Sequence, residues 1–312
     1  MVDDSQDYKA IKKLLESKYF VPFANGKLFA KLDAVLDPRS AKEYIDISQA
    51  FRSNIDGLAT MLSFPFHMAS DRVVDQQFER MLHKFGLTKN PLSETNPFRN
   101  ELVRQMAETM VQTVVSDKGK SDFLKETGDV LDDAYNKKPA ALSESLLQGA
   151  VLCWSALEVF CRDFFVAYMN KHPDAFSALN KDENTKKRFE LTTKTLIGHL
   201  EGNDYNLSSC MGNILAHRHD FSDFATIQAT FRVLFRGKSP FDSDIKGNLS
   251  LLAARRHLIV HRRGVIDEAY RRYDESTVIG DRLNLTPKDI RFHIVTTVTV
   301  VTAVLNLVQT CE

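Results

Sequence analysis

The segment Gly149–Met169, GAVLCWSALEVFCRDFFVAYM, constrains the fold more than any other. Val151, Trp154, Glu158, Cys161, Phe165 and Tyr168 follow one another at steps of three and four, which places them along one face of a helix. The same periodicity recurs along the chain, and few stretches alternate as a half-buried strand would. The expected fold class is therefore all-α.

Pro and Gly set the expected boundaries. Ser40–Leu62 reads as one helix ended by Pro65, and about Ala69–Phe85 as a second, with Gly86 as its stop. TKNPLSETNPF then reads as a loop, followed by helices at about Phe98–Val115 and Ser121–Tyr135. Further helices are expected at about Ala141–Asn170, Glu183–Leu200, Ser208–Ala216, Phe224–Phe235, Gly247–Tyr273 and Pro287–Thr310. In the last, Thr286 can serve as N-cap, Pro287 as the first helical residue and Asp289 as a first-turn acid. At 312 residues the chain has room for two domains of about 100–200 residues each. NKKPA, Asn136 to Ala140, joins a polar segment to the longest apolar pattern. The expected division is thus a smaller helical domain over 1–137, with a sensing, docking or specificity role, and a second helical domain over 138–312.

Composition narrows the function classes. Hydrophobic residues at 43% and charged residues at 26% fit neither wholesale disorder nor a membrane protein. Lys+Arg and Asp+Glu balance at 41 each, so binding of a polyanion must rest on a local patch. Cys153, Cys161, Cys210 and Cys311 lack CxxC spacing, and Cys153 and Cys161 read as small apolar fillers. The start MVDDSQDYKAIKK has no apolar run for a signal peptide, which makes a reducing cytoplasm the expected compartment. Ile294–Val308 is apolar, but at 15 residues it falls short of the roughly 20 a spanning helix needs, and it reads as a buried core helix.

The chemistry-bearing stretch is AARRHLIVHRRGVID, Ala253 to Asp267. Six arginines, Arg255, Arg256, Arg262, Arg263, Arg271 and Arg272, stand between Leu251 and Tyr273 against only Asp267 and Glu268. Guanidinium forks suit phosphate oxygens, although a solvated basic helix face carries the same pattern. His257 and His261 share a helical face at the spacing zinc peptidases use, but Leu258 stands where the general base of that motif belongs and no third ligand is nearby, so no metal or other cofactor is expected. Glu158, inside an apolar stripe, needs a cationic partner or a raised pKa, and the arginine-rich stretch is the expected source. His217 and His219, two apart, read as a loop or helix end, and His199 as a partly buried residue. There is neither a GxxxxGK phosphate loop nor a GxSxG elbow.

RHLIVH, Arg256 to His261, resembles the Arg-x4-His signature of the HEPN superfamily, with His257 as the polar residue after the arginine. The preceding long helix with an acid among apolars, WSALEVFCRDFF, and the closing helix after TVIGDRLNLTPKD are similar to that family's layout, over about Ala140 to Thr310. The resemblance implies a HEPN-type helical bundle acting as a metal-independent endoribonuclease that leaves a 2′,3′-cyclic phosphate, in phage defence, as a toxin, or in stress response. It implies proton transfer by His261 with His257 assisting, charge stabilisation by Arg256, a supporting role for Glu158, and an RNA grip by Arg255, Arg262 and Arg263. Arg256 and His261, five apart, leave a straight helix about 140° apart, and the family answers this with a two-fold dimer. A homodimer with a composite cleft is accordingly expected, with RNA, tRNA among the candidates, as partner and an inhibitor or activator protein unidentified. Partnered toxins of the family carry a tyrosine two residues after the histidine, where this chain has Arg263. The alternative is a non-catalytic HEPN-type module that binds RNA, a nucleotide or a protein.

Overall fold

The computed structural model describes residues 4–22, 28–36, 41–84, 116–202, 205–206, 209–216 and 221–311, together with positions 101, 104, 105 and 108. Among them there is helix and no strand, the nearest thing being a single antiparallel bridge between Val265 and Arg282. The fold is all-α. The helices expected at Phe98–Val115 and the loop before it lie largely outside the described residues, as do Gly86, His217 and His219.

The chain divides into two compact units that interleave in sequence: one of residues 1–22, 60–146 and 285–288, the other of 23–59, 147–284 and 289–312. The sequence reading placed one crossing at Asn136–Ala140, with all of 23–59 on the N-terminal side.

The first unit is built on α1 (Asp4–Lys18), the latter part of α3 (Lys42–Lys84) and α4 (Asp117–Lys137). Ser116 caps α4 by accepting from the Gly119 N–H at 3.0 Å. Leu15, Tyr19, Val21, Ala69 and Leu131 form its core, with Phe66, Leu124 and Tyr135 against them. Tyr19 stacks on Tyr135 at 5.4 Å and its hydroxyl donates to Asp132; burial and that carboxylate push the phenol pKa up. α3 runs unbroken through Pro65, where the sequence predicted a stop. Proline removes one backbone hydrogen bond and costs about 3 kcal/mol inside a helix. Leu62, Ala69 and Val73, all buried on one face, outweigh it.

The second unit contains α2 (Ala30–Val35), the start of α3, most of α5 (Pro139–Lys171), α6 (Ala175–Lys181), α7 (Glu183–Phe189), α8 (Thr193–Gly202), α9 (Met211–Ala216), α10 (Phe224–Leu234), α11 (Ser243–Arg262), α12 (Glu268–Arg271) and nearly all of α13 (Pro287–Cys311). Phe164 of α5 stacks with Tyr44 and Phe231, while Phe165 meets Phe189 and Phe221, all at 5.1–5.5 Å. Cys153 and Cys161 are fully enclosed as fillers, and burial pushes the Cys153 thiol up to about 12. α13 has 25 residues, so length does not separate it from a spanning helix. Its hydropathy reaches 1.6, and 61% of its most apolar stretch is buried within the protein. Its threonines satisfy their hydroxyls inside it, Thr297 donating to Ile294 O and Thr302 to Val298 O.

Two expected helices are split. Glu183–Leu200 breaks where Glu190 turns extended, leaving α7 and α8. Gly247–Tyr273 ends at Arg262, because Arg263 (φ 52°) and Gly264 (φ 78°) adopt the left-handed cap and return their N–H groups to Leu258 O. That turn decides the shape of the site below.

α9 lies so close to α5 that a Cβ on Gly212 would strike the Val166 carbonyl, while the Gly212 N–H donates to Asn170 Oδ1 at 2.7 Å. Gly212→Ala is expected to destabilise the chain by about 1–3 kcal/mol, read as a lowered thermal midpoint, whereas Gly247→Ala, with open space around it, should not lower it.

Candidate functional site

α11 starts at Asp242, whose carboxylate accepts from the Ile245 N–H at 2.7 Å. Along it, Lys246, Ser250, Ala254, His257 and His261 recur at helical spacing and line one side of a cleft of about 580 Å³. Ser222–Ala225 and Gln228, at the start of α10, form a second wall. Asp267, Tyr270 and Tyr273 form the third, placed there by the left-handed turn at Arg263 and by α12, which Asp267 caps.

Arg256, His257 and His261 all line this cleft. Although Arg256 and His261 leave α11 on different sides, the walls from α10 and α12 curve around it and a single chain brings them together. The two-fold cleft is not needed to gather these three. The imidazoles of His257 and His261 lie 4.7 Å apart between centroids. Arg256 is half-buried, and its Nε finds no hydrogen-bond partner among the described residues. Asp267 accepts from the Tyr270 N–H at 2.9 Å and from Arg262 Nε at 3.4 Å, interactions that hold its carboxyl below the usual carboxylate range. The cleft therefore presents a half-buried guanidinium and two imidazoles beside an ionised carboxylate.

The remaining expected site residues lie elsewhere. Arg255 is buried, at 7% exposure, and cannot grip RNA. Its Nε donates to the Tyr270 hydroxyl at 3.3 Å, and its Nη1 donates to Asp289 Oδ1 at 3.2 Å and His293 Nε2 at 2.7 Å. Because a guanidinium only donates, His293 carries its proton on Nδ1. Arg262 and Arg263 are exposed and outside the cleft lining, the first engaged by Asp267 and the second closing the helix. Glu158 is half-buried on α5, close enough to Cys161 to help raise that thiol, and is not among the cleft residues. Within the arginine stretch, from which a cation for Glu158 was expected, Arg255 answers Asp289 and Arg262 answers Asp267.

Asp267, Tyr270, Tyr273 and Lys246 belong to the cleft and were not singled out from the sequence. Gly264 after two arginines was the available signal that the helix stops and the chain returns. No group of three or more His, Cys, Asp or Glu among the described residues could hold a metal ion. Compared with family models, curated proteins and solved structures, the chain matches none.

Burial and the neighbouring Arg255 charge push the His293 pKa down to about 3 from 6.5. The unfolded chain then binds more protons than the folded one between these values, so stability is full above pH 6.5 and falls as pH drops toward 3. His293→Gln, which keeps an acceptor for Arg255 and cannot titrate, should flatten that slope in urea midpoints measured against pH. Arg255→Met should destabilise by about 3 kcal/mol in the same assay, since it strips Tyr270, Asp289 and His293 of a shared partner.

Proposed function

We propose that the cleft is the active centre of a metal-independent endoribonuclease of HEPN type. The observation that carries this reading is that Arg256, His257 and His261 line one open cleft with their two imidazoles side by side.

The 2′-hydroxyl of the substrate attacks the adjacent phosphorus, a new O–P bond forms, and the bond from phosphorus to the 5′-oxygen breaks. One imidazole takes the 2′-hydroxyl proton and the other, protonated, gives a proton to the departing 5′-oxygen; His261 is assigned one role and His257 the other. The products are a 2′,3′-cyclic phosphate and a 5′-hydroxyl. Arg256 neutralises the charge that builds on the equatorial phosphate oxygens. Asp267 sets an ionised carboxylate on the same cleft wall. Tyr270, held from behind by Arg255, fixes the third wall. The homodimer belongs to this proposal as an expectation of the resemblance, as does a place in defence or stress response.

Purified protein in EDTA is expected to cut single-stranded RNA or tRNA to cyclic-ended fragments. His261→Ala and Arg256→Ala should each reduce the rate by about 10²-fold or more. Cleavage by both variants at the wild-type rate would overturn the assignment. RNA bound and left intact by wild type would make the cleft a binding surface.

A further inference from the structure

A second hollow of about 400 Å³ opens beside the cleft, lined by Arg188 of α7, Gln228 and Arg232 of α10 and Lys246 of α11. Ala225, Gln228 and Lys246 line both hollows, so the two adjoin and are taken together as one groove. No carboxylate is among the described residues lining the second hollow. In a chain of zero formal net charge, three cations on one short groove form a local field that attracts anions.

Two of these cations are held by carboxylates, one of which, Asp223, itself lines the cleft. Arg232 Nη2 donates to Asp182 Oδ2 at 2.9 Å, and Arg188 donates to the Thr226 hydroxyl and, at 3.5 Å, to Asp223 Oδ2. Both acids are helix N-caps: Asp182 accepts from the N–H groups of Asn184 and Thr185, Asp223 from those of Ala225 and Thr226. Burial alone would raise the Asp223 carboxyl, but its hydrogen bonds from Thr226 and Ala225 prevail and keep it low. Each carboxylate thus divides its charge between a helix start and a guanidinium, and each guanidinium retains further N–H groups for another acceptor. Tyr273, which lines the cleft and not the second hollow, stands 54% exposed.

We infer that the groove is a track for a single-stranded polynucleotide, with a base stacked on Tyr273 and the phosphates beyond the cleft seated on Lys246, Arg232 and Arg188. A cationic groove with an aromatic platform is the arrangement that holds a single strand without reading its sequence. Lys246 and His257 are eleven residues apart on α11, about 16 Å along its axis, which is room for at most about five nucleotides at a stacked rise of ~3.4 Å. A duplex keeps its bases inside the helix and cannot offer one to Tyr273. The track rests on the endoribonuclease reading for its substrate class, and moves the grip on RNA from Arg255, Arg262 and Arg263 to a different set of cations.

The test uses the full chain and a 2′-O-methyl single-stranded 12-mer, which cannot be cut by 2′-hydroxyl attack, so that binding is read apart from cleavage. Lys246→Ala and Arg232→Gln should each weaken binding about 5- to 10-fold at low salt and reduce the slope of log affinity against log salt by about 0.7. Asp182→Asn keeps the cap and removes a rim charge, and should tighten binding; a variant that merely misfolds cannot produce that opposite sign. Unchanged affinity and salt slope in Lys246→Ala and Arg232→Gln, or equal binding of the matching duplex, would overturn the track. Absence of cleavage in the EDTA assay with this pattern intact would sink the nuclease reading and leave the track standing.

Discussion

The buried guanidinium of Arg255 is the interaction on which the candidate site depends. It joins α11 to α13 through Asp289 and His293, and to the wall after the left-handed turn through Tyr270. A charge taken from water is tolerated only with its donors satisfied, so the three partners must be present together, and they draw two segments, α12 and α13, into register with α11. Tyr270 belongs both to this network and to the cleft lining. The position of the cleft wall is consequently tied to the packing of the last helix.

This division of labour separates neighbouring arginines by the side of the helix from which they leave. Arg255 faces inward with Leu252, Leu258 and Ile259 and is structural. Arg256, one residue on and about 100° around the axis, borders the cleft. Arg262 is committed to Asp267 and Arg263 to the helix end. The arginine-rich stretch is therefore not one basic patch. The continuous cationic surface instead combines Lys246 with Arg188 and Arg232, three residues from three helices, none of them in the motif.

The all-α character was legible because apolar residues at steps of three and four leave a chain few other ways to bury them. Of the motif residues, Arg256, His257 and His261 do come to one cleft. Arg255 was assigned to RNA although Leu252, Arg255 and Leu258, three apart, already place it on the apolar face; reading charge before periodicity concealed it. α3 continues through Pro65 because buried neighbours on both sides outweigh a local penalty. The stop at Arg262 was concealed by a helical pattern that continues to Tyr273, whereas the backbone turns at Gly264. Glu158 shared a face with apolar residues, and spacing along α5 says nothing of what another helix brings to it.

By itself the sequence determined what acts within a few residues: helices from periodicity, caps from Asp and Ser, the left-handed turn available at Gly264, and the order of arginine and histidine along α11. Such effects decay within a turn or two and are written in the chain. Only the tertiary structure decided which arginine is buried, which carboxylate answers it, and that α10 and α12 wall the cleft from both sides. Those outcomes depend on desolvation and pairing between residues up to 38 apart in the chain, as Arg255 and His293 are. Distance along the sequence carries no information about that pairing until the helices are packed.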